Sequence, residues 1–135
     1  MSSATPCEIS GGCLCGAIRY CITGKVDGSC HCHCACCRKT TGAPLVTWAT
    51  VARENFNVTQ GALAAFASSN DGWRTFCDNC GTHISFESKT FPDYLDVAVC
   101  TLDVPGKLPP ERHIWTKSQL NWNRVDEHLP KAKEI

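Results

Sequence analysis

The chain has 135 residues, with 13 Lys+Arg against 13 Asp+Glu and a formal net charge of zero. That length defaults to one domain with a core of its own, and the balanced charge speaks against broad nucleic-acid or anionic-membrane binding. No nucleic-acid partner and no membrane partner are expected, since no apolar stretch approaches bilayer-spanning length.

The 12 cysteines are too many for an ordinary core. The start, Met1-Ser-Ser-Ala-Thr-Pro-Cys-Glu, has neither a basic segment nor an apolar run, so no secretory signal is expected. The expected location is therefore cytoplasmic. Thiols there stay reduced, and metal binding outranks disulfides.

In chain order, residues 1–9 read as a lead-in, 10–123 as a zinc-binding domain and 124–135 as a C-terminal tail. Residues 11–16 form a turn carrying Cys13 and Cys15. Residues 17–23 alternate, with Ile18, Tyr20 and Ile22 on one side and Arg19 and Cys21 on the other, which predicts a strand. Residues 24–28 read as a turn, and the cysteine run after them enters as a strand. Residues 35–41 read as a helical turn, ended by Gly42 and barred from continuing by Pro44. Strands are predicted over 45–51, 55–59, 62–68, 72–77, 82–87 and 94–102, and a short helix over 118–123. Many short strands between turns imply a mainly β domain.

The densest chemistry is Cys30-His31-Cys32-His33-Cys34-Ala35-Cys36-Cys37, five thiols in eight residues. Soft thiolates at this density favour zinc or iron–sulfur over hard cations. Sulfurs around one zinc lie roughly 3.8 Å apart. In an extended run Cys30 and Cys34 are on the order of 13 Å apart, too far to share an ion without a bend. Cys32 and Cys34 share a face and can meet. If a helical turn follows, Cys37 at i+3 from Cys34 joins them and Cys36 at i+2 does not. Spacing therefore selects Cys32, Cys34 and Cys37. Three ligands leave the open position of a catalytic zinc, and a fourth ligand from Cys30, Cys36 or a histidine would close the site.

A second set is Cys77-x-x-Cys80-Gly81, a zinc knuckle whose glycine permits a positive φ. With Cys13-x-Cys15 it makes a four-thiolate site that contributes folding free energy directly. Spacing alone leaves a swap with Cys32 and Cys34 open. Cys7, Cys21, Cys30, Cys36 and Cys100 remain over, and Cys21 and Cys100 read as small buried apolar residues.

Four motifs occur in one order: Gly12-Cys13-x-Cys15-Gly16, Cys32-His33-Cys34-x-x-Cys37-Arg38-Lys39, Arg74-x-Phe76-Cys77-x-x-Cys80-Gly81-Thr82 and His113-Ile114-Trp115-x-x-Ser118-x-x-x-Trp122. Together they resemble the glutathione-dependent formaldehyde-activating enzyme family, which includes centromere-protein-V-like proteins. The resemblance implies a β-tent fold of packed antiparallel sheets with two Zn(2+) ions. It assigns Cys13, Cys15, Cys77 and Cys80 to a structural zinc and Cys32, Cys34 and Cys37 to a catalytic one. It implies a carbon–sulfur lyase that adds glutathione, or a similar small-molecule thiol, to formaldehyde or a related electrophile. The extra Cys30 and Cys36 depart from the pattern.

No general base is assigned. His33, between two ligands, is expected to face the surface, and His113 to be a packed tail residue. Arg38 and Arg74 are candidates for a substrate carboxylate, with solvated side chains as the default. Trp48, Trp73, Trp115 and Trp122 are read as aromatic core. The alternative to an enzyme is a non-catalytic, zinc-stabilised binding module.

Overall fold

A computed structural model describes residues 7–135, so the expectation for the first six residues lies outside it. Its elements run β1 (Ile9–Gly12), β2 (Arg19–Ile22), β3 (Val26–Cys32), α1 (Ala35–Thr41), β4 (Val46–Ala52), β5 (Phe56–Gln60), β6 (Ala64–Ala67), β7 (Gly72–Phe76), β8 (His83–Ser88), β9 (Tyr94–Ala98) and β10 (His113–Ile114). The protein is mainly β, as its short, turn-punctuated apolar segments require. No helix is long and apolar enough to cross a membrane.

Two sheets form. Strands β1-β2-β5 make a three-stranded sheet, and β10-β3-β4-β9-β8-β7-β6 make a seven-stranded one. All pairs are antiparallel except β10 with β3, which is parallel.

The core lies between the sheets. Tyr20 and Ile22 of the smaller sheet and Ile18 just before β2 share a side, as their alternation predicts, and meet Ala49, Val51, Ile84, Leu95 and Val97 of the larger sheet. Tyr20 also ties the layers by a hydroxyl hydrogen bond to Thr101 of 2.6 Å. Its ring fits only because residue 11 lacks a side chain: a Cβ on Gly11 would stand 2.5 Å from the Tyr20 oxygen. The other face of the larger sheet carries a second apolar cluster, with Cys30, Cys32, Cys37, Val46, Trp48, Ala98 and Ile114. Period-2 alternation along β4 divides its residues between these two clusters.

Several local expectations change. Residues 9–12 are a strand, because Ser10 and Gly11 pair with Cys21 and Tyr20. The turn expected over 24–28 is shorter, since β3 begins at Val26 and an irregularity between Val26 and Gly28 absorbs Asp27. Strand β9 stops at Ala98, where Val99–Thr101 turns as a 3₁₀ helix. Cys100 is consequently exposed rather than buried. The helix expected over 118–123 is absent, and a 3₁₀ turn at Thr116–Ser118 stands before it.

Residues 130–134 run beside β10. Backbone hydrogen bonds join His113 N–H to the Pro130 carbonyl at 2.8 Å, Ala132 N–H to the His113 carbonyl at 3.0 Å and Trp115 N–H to the Glu134 carbonyl at 2.6 Å. The chain after 123 is therefore docked on the larger sheet.

Candidate metal centres

The first thiol set sits where the two sheets meet. Cys13 and Cys15 follow β1, and Cys77 and Cys80 lie in the connection from β7 to β8. Their four sulfurs all lie within 4.8 Å of one another. Cys13 and Cys15 are 3.6 Å apart, and Cys15 and Cys77 are 3.8 Å apart. These are close to the edge length of a tetrahedral thiolate site.

Donors point at these sulfurs. The Ile18 N–H reaches Cys13 Sγ at 3.2 Å, Asn79 Nδ2 reaches Cys15 Sγ at 3.2 Å and the Cys80 N–H reaches Cys77 Sγ at 3.5 Å. Gly81 takes φ 81°, and its N–H closes the knuckle onto the Cys77 carbonyl at 2.8 Å. A left-handed residue there is what glycine supplies without strain.

The second set sits on the outer face of the larger sheet. Cys32 ends β3, Cys34 caps α1 and Cys37 lies in its first turn. The backbone at Cys34 is extended (φ −64°, ψ 151°), so the strand turns into the helix at that residue. That turn brings the three sulfurs within 4.8 Å of one another. Cys37 and Cys32 sulfurs are 3.4 Å apart, and the Cys37 N–H reaches Cys34 Sγ at 3.3 Å. Hydrogen bonds from the Cys32 and Cys37 thiols hold the Cys34 sulfur well below the ordinary thiol range. Cys32 and Cys37 are buried, and Cys34 is half-buried.

Two further side chains bear on Cys37. Trp48 Nε1 donates to its sulfur at 3.4 Å, and Arg74 Nη1 approaches it at 3.6 Å. Arg74 is 3% exposed, with its guanidinium 4.8 Å from the Phe86 ring centroid. Its expected solvated state is therefore corrected. A buried cation needs a partner, and here it faces a sulfur cluster and a ring. Trp48 is buried as expected, whereas Trp122 is 67% exposed and contributes no core. Arg38 Nε reaches the His33 carbonyl at 3.4 Å.

His33 is likewise corrected. It is fully buried, with Nε2 2.8 Å from His113 Nδ1. His113 Nε2 meets the Asp126 carbonyl at 2.8 Å, and the Asp126 carboxylate meets His31 Nε2 at 2.8 Å. Along β3 the histidines face away from the cysteines, toward β10 and the chain after residue 123. That packing buries His33. Burial, with the nearby His113, His31 and Arg38, pushes its imidazole down to about 4.

Among the described residues, these two thiol sets are the groups of three or more Cys, His, Asp or Glu close enough to hold an ion. Both consist of sulfur alone, and N–H donors point at sulfurs of each set. The donor chemistry fits a thiophilic divalent ion. Cys30 and Cys36 stand outside both sets. Cys7 and Cys21 are joined as a disulfide, contrary to the expectation of reduced thiols. The pairing places the chain before β1 against the mid-strand thiol of β2.

The glutathione-dependent formaldehyde-activating enzyme profile matches residues 8–118, which span all seven clustered cysteines. The chain belongs to that family. A protein of Schizosaccharomyces pombe named as an uncharacterized lyase is 34% identical over 80 residues. That match covers 58% of this chain and 57% of the yeast protein. A crystal structure of a Rhodobacter sphaeroides protein superposes with a TM-score of 0.60 at 20% identity, covering 91% of this chain and 98% of that one. It shares the fold.

The family motifs mark the cysteines and also Arg74 and His113. What sequence reasoning missed is the role of Arg74 and Trp48 at Cys37. Each is separated from Cys37 by an intervening stretch of chain, and the strand order β3-β4-β9-β8-β7 brings them near. A buried arginine carries no spacing signal of its own.

Proposed function

We propose that the protein is a zinc-dependent carbon–sulfur lyase of the S-(hydroxymethyl)glutathione synthase type, adding glutathione or a similar thiol to formaldehyde or a related small electrophile. Cys13, Cys15, Cys77 and Cys80 would hold a structural zinc, and Cys32, Cys34 and Cys37 a catalytic one. The observation that carries this reading is the count at the second set, three sulfurs within 4.8 Å of one another and, among the described residues, no fourth ligand beside them. Family membership and the lyase name of the yeast relative support the reaction class.

In the reaction the thiol adds across a carbonyl. A carbon–sulfur bond forms, the carbonyl π bond opens onto oxygen, and the thiol proton ends on that oxygen as a hydroxyl. The reverse is the lyase direction. Cys32, Cys34 and Cys37 would hold a zinc ion, which would supply Lewis acidity that favours the thiolate form of an incoming thiol.

The chain's own groups do the rest. Cys34, the accessible member, faces the approach of substrate. Arg74 offsets the negative charge that three thiolates and a fourth sulfur would build up, acting where water is excluded. Trp48 fixes Cys37 by its N–H and walls the cluster with its ring.

Exchange spectroscopy by NMR on an equilibrated glutathione–formaldehyde mixture tests this. Zinc-loaded protein should speed interconversion of adduct and free components, and Cys37→Ser should not. Equal rates with protein and variant would remove the reaction from this chain.

A further inference from the structure

The apolar cluster around Cys32 and Cys37 does not close over. Three of its members, Cys30, Phe86 and Ile114, also line a cavity of about 310 Å³. The strand register places the thiols and the cavity on one face of the larger sheet. Cys30 pairs with Trp48, Thr50 with Asp96, Asp96 with Phe86, and Phe86 with Arg74. Paired residues share a face, and so do Cys30 and Cys32, two apart on β3 and so about 6.6 Å apart. The cavity therefore begins on the face that holds the three sulfurs.

Its lining is selective. Phe86, Phe91, Tyr94 and Ile114 supply apolar wall, and Phe91 and Tyr94 stand exposed at the rim. The polar groups are few. Thr50 Oγ1 donates to Asp96 Oδ1 at 2.6 Å, Ser88 adds a hydroxyl, and Arg112 is exposed. Burial raises the Asp96 carboxyl above its ordinary range.

Size and polarity then exclude two occupants. Cavities of roughly 300–1,000 Å³ take drug-sized ligands, and a one-carbon aldehyde leaves almost all of this one empty. Glutathione brings two carboxylates and an ammonium, and the wall offers a single cation. Desolvating the unmatched charges opposes its entry. An alkyl or aryl group, by contrast, gains from leaving water there.

We propose that this cavity seats the apolar substituent of an aldehyde larger than formaldehyde, with its carbonyl carbon directed to the Cys32, Cys34 and Cys37 set. The step is the same addition. The thiol sulfur bonds to the carbonyl carbon, the π pair moves to oxygen, and the thiol proton completes the hydroxyl. No oxidant or reductant takes part. The proposal rests on the addition reaction proposed above and names its carbonyl partner.

The test uses the zinc-loaded full chain with two readouts. In the first, 2-phenylethanol, an unreactive counterpart of phenylacetaldehyde, is titrated against the Ile114 methyl resonances. A saturable shift is expected, and Phe91→Ala, a change at an exposed rim position, should weaken it about fivefold. No saturable shift, or equal affinity in Phe91→Ala, would overturn the proposal. In the second, NMR exchange is measured for glutathione with phenylacetaldehyde and, separately, with formaldehyde. Acceleration of the phenylacetaldehyde adduct, reduced about fivefold in Phe91→Ala, is expected. Acceleration for formaldehyde alone would overturn the cavity's role and leave the addition reaction standing. Binding of the alcohol with acceleration of neither adduct would overturn both.

Discussion

His33 Nε2 lies 2.8 Å from His113 Nδ1, and both rings are wholly buried. This pair links the strand that carries Cys32 to β10 and, through the Asp126 carbonyl, to the segment after residue 123. The C-terminal segment is thus coupled to the element that presents the second thiol set.

The first prediction follows from that link. His113→Leu keeps the volume roughly but leaves His33 Nε2 and the Asp126 carbonyl without their partner. Each buried, unsatisfied group costs about 1–3 kcal/mol. Amide hydrogen exchange of Ala132, whose N–H bonds the His113 carbonyl at 3.0 Å, should speed up well beyond that of β4. Equal acceleration everywhere would mean global destabilisation instead of release of this segment.

Opposite outcomes are expected for two cysteine replacements. Cys80→Ser breaks the set that joins the two sheets. Structural zinc contributes on the order of 10 kcal/mol of apparent folding free energy, comparable to the whole stability of a domain. That variant should be insoluble or unfolded. Cys37→Ser acts on a local set on the sheet's outer face, so it should fold and retain one zinc. Metal analysis with circular dichroism reads both, and reversed outcomes would exchange the roles of the two sets.

The disulfide gives a third prediction. Alkylation of denatured, unreduced protein should modify ten cysteines and spare Cys7 and Cys21. The bond closes a loop with a sequence separation of 14, which is worth about 3 kcal/mol in the chain-entropy account. Cys7→Ser should lower Tm while leaving both metal sets filled. Modification of all twelve would remove the bond.

A fourth concerns pH. Hydrogen bonds from Arg19 and Ser10 hold the Asp103 carboxylate down to about 2. Its ordinary value is about 3.9, so the folded state binds the proton less readily than the unfolded one. The pair's stabilisation is fully present above about pH 4 and is lost as pH falls toward 2. The Tm gap between wild type and Asp103→Asn should therefore be constant from pH 7 to pH 5 and narrow below pH 4. The pair is partly exposed, which keeps the gap small. A gap that shrank between pH 7 and pH 5 would contradict the assignment.

What the sequence disclosed follows from how local each signal is. Ala35 to Thr41, with Gly42 behind it, reads as a helical turn, and the structure has that helix with Gly42 at φ 67°. The gathering of Cys32, Cys34 and Cys37 follows from strand and helix spacing. Cys13 with Cys15, and Cys77 with Cys80, are close pairs, but their union across two sheets needed the family pattern. The burial of His33 is not legible in the sequence because alternation names a face without naming what covers it. Here β10 and the chain after 123 cover it. The parallel pairing of two-residue β10 with β3 leaves no periodic trace, and neither does the approach of Arg74 to Cys37.

On the proposed function, the Cys32, Cys34 and Cys37 set holds an ion with room for one substrate sulfur. Cadmium-113 NMR of the cadmium-substituted protein tests it most directly. Two resonances are expected, one of them missing in Cys37→Ser. Added glutathione should shift that resonance and leave the four-thiolate resonance in place. A spectrum in which glutathione moves neither line would contradict the claim.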